Sequence, residues 1–148
     1  MTLVTVAHML RFDRPRFVAL GLVPAVNAVA LLIYGLYAST AGSRKEGGLI
    51  PAIAALAALL LLCTAASAIK RGRDLGYRAV ITVIAFVVAL GFGPVVLLLA
   101  GYLAVARSNE TENPFGPPPP SPNPLTWVAA GLLAFIPWLL LAILVRLP

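Results

Sequence analysis

Acidic side chains are scarce in this chain. Five Asp and Glu stand among 148 residues against eleven Lys and Arg, and charged residues make up 11% in all, where a soluble domain carries about 25%. Histidine and cysteine occur once each, as His8 and Cys63. A lone cysteine excludes an internal disulfide framework. Paired carboxylates, a nucleophile beside a base, zinc or haem-attachment spacing, a P-loop and a dinucleotide fingerprint are all missing from the pattern. The chain is therefore read as non-enzymatic, with no cofactor, no metal site and no catalytic residue. The basic residues come without the aromatic or base-reading pattern of a nucleic-acid binder, so no nucleic-acid partner is expected.

What is abundant is apolar surface. Hydrophobic residues make up 61% of the chain, and the mean hydropathy is +0.98. A chain of this size has far more surface than its polar groups can cover. Such a composition excludes a water-soluble globule, and it equally excludes general disorder. An integral membrane protein remains.

Four uncharged runs cover residues 17–38, 49–69, 79–106 and 125–145. Each has at least the ~20 residues that a helix needs to cross a ~30 Å hydrocarbon core. They are apolar on every side, whereas barrel strands alternate, and a helix satisfies its own backbone in lipid. The expected fold is an all-α integral membrane protein with four transmembrane helices in a single membrane domain, residues 1–148. The spans are about 17–38, 49–69, 79–106 and 125–146. The third is too long for a simple span, since its residues as one helix would reach about 42 Å. Gly91, Gly93 and Pro94 near its middle mark a kink or a short break. A plain kink is favoured over the broken helix of a transporter site.

Lys and Arg set the expected orientation. Arg11, Arg14 and Arg16 precede the first run, Arg44 and Lys45 follow it, and Lys70, Arg71, Arg73 and Arg78 follow the second. Arg107 follows the third and Arg146 closes the fourth. With four spans, the positive excess falls on the side of the N-terminus, the second connection and the tail, giving an N-in/C-in topology. Thr2, Thr5, His8 and Arg11 recur at helical spacing and suit a short N-terminal interfacial helix. The segment 108–124 is rich in proline, stiff and polyproline-like, and this topology places it on the outer face.

Inside the runs, Asn27 is the most polar side chain near membrane depth. It reads as helix–helix glue, the alternative being the lining of a polar cavity. The alanine-rich second run holds Ala54 and Ala58 four residues apart, a face for close helix approach, and is expected to be the helix most surrounded by protein. Asp74 can pair with Arg71 or Arg78, or with Arg14 or Arg16 of the N-terminal segment, while Leu75-Gly76 turns the chain into the third run. Together with Lys70 and Arg73 these residues form a structural clamp or an anionic headgroup site.

The loops also carry a resemblance. Phe12-Asp13-Arg14-Pro15-Arg16 before the first run, Ile69-Lys70-Arg71-Gly72-Arg73-Asp74-Leu75-Gly76 after the second, and Asn113-Pro114-Phe115-Gly116-Pro117 after the third stand in the order of three family motifs. In these residues the chain resembles the small bacterial inner-membrane proteins called domain of unknown function 805, as a divergent member. Gly72-Arg73 replaces a Leu-His pair of that family, and a fourth run is added to its usual three. The resemblance implies a multi-pass protein of the bacterial inner (plasma) membrane and no particular reaction. The functional expectation is an accessory or scaffolding subunit of a larger membrane assembly, or a homo-oligomer. Its partners would be the bilayer, anionic lipid headgroups and other membrane subunits or itself. The alternative is a small channel or transporter subunit for a neutral solute, with Asn27 and the 91–94 break on its pathway.

Overall fold

The computed structural model describes residues 11–40, 49–107, 114–115, 119 and 123–146. The expected N-terminal helix and nearly all of the proline-rich segment lie outside the described residues. Among the described residues there is no strand, and the regular structure is helical throughout. Helix α1 is Arg14–Thr40 and α2 is Leu49–Asp74. Helices α3 and α4 are Ala79–Gly91 and Val95–Val105, and α5 is Pro124–Arg146. Three helices, α1, α2 and α5, are long and apolar enough to cross a membrane, while α3 and α4 are shorter apolar helices.

Helix α1 starts at a cap. The Asp13 carboxylate accepts the Arg16 amide at 3.0 Å, and Pro15 sits in the first turn, where a missing donor does little harm. Further along, Pro24 has no N–H to give the Leu20 carbonyl, and its ring crowds that oxygen. The helix widens there into a π-helical stretch, Val18–Leu22. The carbonyls released from the helical ladder face α2. Ser67 Oγ donates to the Leu20 carbonyl at 2.7 Å, and Thr64 Oγ1 donates to the Gly21 carbonyl at 3.1 Å.

Those hydroxyls set the rotation of α2. Its packed stripe runs through Ile53, Ala57, Leu60, Thr64, Ser67 and Ala68. Ala54 and Ala58 lie off this stripe and are exposed, which corrects the expected contact face. An alanine-rich helix offers small residues on several faces, and the hydroxyls choose between them. The helix most enclosed by protein is α1, with 50% of its apolar window buried against 22% for α2 and 11% for α5. This too departs from expectation, because α1 is covered along its length by α2, α4 and α5 together.

Helix α2 ends in a Schellman turn. Gly76 has a φ of 86°, its N–H donates to Arg73 at 3.0 Å, and the Tyr77 N–H donates to Gly72 at 2.8 Å. The 79–106 run is then two antiparallel helices, and the single kinked helix expected there is not found. Gly93 takes a φ of 65° and its N–H closes on Leu90 at 3.0 Å. Pro94 follows as the N-cap of α4. The chain reverses, so that Ile81 and Ala85 of α3 share a crevice with Leu99 and Tyr102 of α4. The Tyr77 and Tyr102 hydroxyls come within 2.9 Å of each other at the base of this hairpin. With 13 and 11 residues, α3 and α4 extend about 20 Å and about 17 Å, each short of a ~30 Å core.

Helix α5 runs parallel to α1. Its Leu133 and Trp138 meet Asn27, Leu141 packs with Ala28 and Leu31, and Val145 shares a crevice with Tyr34. The starts of α1, α3 and α5 and the ends of α2 and α4 therefore gather at one end of the bundle. We call it the basic end.

Candidate functional site: a buried arginine–aspartate clamp

Asp74 occupies the last turn of α2 three residues after Arg71, on the same side of the helix. Its carboxylate is fully buried and shared between two guanidinium groups. Arg11 donates to Oδ1 from Nη2 at 2.8 Å and from Nε at 3.2 Å. Arg71 donates to Oδ2 from Nη1. The side chains of both arginines are completely buried as well.

Arg71 also gathers the rest of the basic end. Its Nε donates to the Leu103 carbonyl at 2.9 Å, its Nη2 to the Ala106 carbonyl at 2.5 Å and its Nη1 to the Phe12 carbonyl at 3.4 Å. Arg14 Nε adds a bond to the Ala104 carbonyl at 2.8 Å. These α4 carbonyls belong to a helix C-terminus, which lacks intrahelical donors and carries partial negative charge. The α4 terminus is placed to offset the positive charge of the buried guanidinium groups. A main-chain bond from Phe12 N–H to Lys70 O at 3.2 Å and Lys70 Nζ, 4.8 Å from the centre of the Phe12 ring, hold the segment before α1 along α2. Gly72 permits the close approach of α3, since a Cβ there would collide with the Thr82 side chain.

The expected residues divide. Arg71 and Asp74 lie at the centre of the clamp. Arg14 serves α4, Arg16 pairs with Asp13 at 3.8 Å, and Arg73 is half-buried while Arg78 is exposed. The partner that Asp74 takes from the N-terminal segment is Arg11, which the sequence reading did not name for this role. The one signal for it was its place at the end of the Thr2–Thr5–His8–Arg11 stripe, directly before the first motif.

Asn27 stands apart, between α1 and α5. Its Nδ2 donates to Val23 O at 3.0 Å and to Leu133 O at 3.4 Å, and its Oδ1 accepts Trp138 Nε1 at 2.6 Å. The Leu133 carbonyl is available because Pro137, four residues on, has no N–H to offer it. Gly91, Gly93 and Pro94 are exposed at the hairpin tip. The apolar groove beside the tip, about 280 Å³, is lined by Val29, Leu32, Leu61 and neighbours and does not include Asn27. Among the described residues, no three His, Cys, Asp or Glu side chains come together as a metal would need.

A family model described as "Protein of unknown function (DUF805)" matches residues 7–117. The chain belongs to this family. The DUF805 portion contains α1 to α4 and the whole arginine–aspartate clamp, and α5 lies beyond it as an addition. No curated protein and no solved structure matches the chain.

Proposed function

We propose that this DUF805 protein is a non-enzymatic multi-pass protein of the bacterial inner membrane. It acts by packing, as an accessory or scaffolding subunit of a larger membrane assembly or as a homo-oligomer. The carrying observation is where the polar groups at membrane depth are directed. Asn27, Thr64 and Ser67 each bond a backbone carbonyl of a neighbouring helix, so these three side chains are spent on holding helices together. Arg11, Arg71 and Asp74 are likewise closed on one another.

In this reading α1, α2 and α5 cross the bilayer. The α3–α4 pair dips in from the basic side and returns as a re-entrant hairpin. The basic end is cytoplasmic by the positive-inside rule. The proline-rich segment then starts and ends on the cytoplasmic face, and the C-terminus is outside. This differs from the four-span, N-in/C-in arrangement expected from run lengths and the balance of Lys and Arg. Helix α5, the least enclosed of the three long helices, is the face offered to a partner.

Extraction of the full chain in a mild detergent, followed by mass measurement with the detergent contribution subtracted, tests the role. Protein mass above the 15.5 kDa of one chain, from copies of itself or from a stoichiometric second protein, is the expected result. A lone monomer at all detergent-to-protein ratios contradicts it.

A further inference from the structure

The base of the α3–α4 hairpin has the makings of a lipid site distinct from the clamp. Tyr77 and Tyr102 are 40% and 49% exposed, yet their hydroxyls are 2.9 Å apart. In such a pair one O–H is used between the rings, and the other remains free to donate to an outside acceptor. Arg78 follows Tyr77 directly and is exposed, as is Arg107, just beyond the end of α4. Both described acids, Asp13 and Asp74, are taken by other arginines. Below the tyrosines an apolar crevice of about 110 Å³ runs down the seam between the two helices, lined by Ile81 and Leu99 among others.

A donor hydroxyl and positive charge at the membrane surface, continuous with an apolar seam at depth, match one chemistry. We propose that the hairpin base binds an anionic phospholipid. The phosphate would be held by the tyrosine pair, Arg78 and Arg107, with an acyl chain laid along the α3–α4 seam. The positive end attracts the anionic headgroup, and the seam selects a lipid over a free phosphate. The inference rests on the membrane reading above and is independent of which partner the protein assembles with.

The test is native mass spectrometry of the full chain in detergent, titrated with phosphatidylglycerol or phosphatidylcholine and, in a third arm, with inorganic phosphate as competitor. The wild type should retain phosphatidylglycerol in preference to phosphatidylcholine, with no displacement by millimolar phosphate. The double variant R78Q/R107Q should bind phosphatidylglycerol about thirtyfold more weakly, at about 1 kcal/mol per basic residue near a charged surface. The control R44Q/K45Q, in the connection between α1 and α2, should keep the preference. Equal retention of the two lipids by wild type, an unchanged preference in R78Q/R107Q, or release by phosphate would each overturn the proposal. A failed partner search would leave these readings untouched.

Discussion

At the scale of single residues, Asp74 and Arg78 are close in sequence and opposite in consequence. Asp74 is the counter-ion of two buried guanidinium groups, and arginine does not shed its proton to relieve the loss of one. Replacing Asp74 with Asn should cost about 3–5 kcal/mol, the usual penalty for leaving buried charge without its partner. R11Q leaves Asp74 paired with Arg71 and should cost less, about 1–3 kcal/mol for the lost charge-assisted hydrogen bonds, while R78Q, an exposed site, should stay within about 0.5 kcal/mol of wild type. Thermal or denaturant unfolding of the purified protein in detergent reads all three. Equal effects at 74 and 78 would show that the clamp does not carry the fold. Arg71 with Asp74 was legible in the sequence, because the two lie three apart on one helix. Arg11 was not, because 63 residues separate it from Asp74 and only tertiary packing brings them together. Trp138 escaped for the same reason. Asn27 marked one side of its contact, and nothing local named the indole and the proline-freed carbonyl opposite.

At the scale of elements, glycine and proline decide how the helices stop and turn. Gly76 and Gly93 have φ values of 86° and 65°, a region that costs other L-residues roughly 1–2 kcal/mol. Gly91 has open space around the position of an added Cβ and needs no such backbone. G76A and G93A should therefore each destabilise the protein by about 1–2 kcal/mol. G91A, at a helix position, should be neutral or stabilise by up to about 1 kcal/mol. Melting temperatures of the three variants in one detergent give the comparison, and destabilisation by G91A equal to that of G93A would contradict it. Helical character and the α2 terminus at Gly76 were legible, since long uncharged runs and a glycine after a basic turn are local signals. In the sequence, Gly91–Pro94 marks a kink or a short break and does not show the reversal. Hydropathy is blind to chain direction, and Gly-Phe-Gly-Pro serves equally as a helix stop followed by a helix start. The π-helical stretch of α1 left its cause in view, Pro24. Its use by Ser67 and Thr64 depends on a neighbour that the local pattern does not show.

At the scale of the whole molecule, the membrane character follows from composition alone, and the topology does not. Two arrangements share the same balance of basic residues. Making 79–106 a hairpin moves Arg107 to the basic side and sends Arg146 to the other, so the two exchange places and the positive-inside rule sees no difference. The proposed hairpin rests on contacts at the basic end. Arg71 reaches the Leu103 and Ala106 carbonyls, and Tyr77 meets Tyr102. The most direct measurement is cysteine accessibility in sealed inner-membrane vesicles, on a C63S background. Single cysteines would replace Arg78 and Arg107, and a third would be appended after residue 148. The account predicts that a membrane-impermeant maleimide labels positions 78 and 107 from the same, cytoplasmic side and the appended cysteine from the opposite side. Labelling of 78 and 107 from opposite sides would make 79–106 a true span and contradict the re-entrant hairpin on which the account rests.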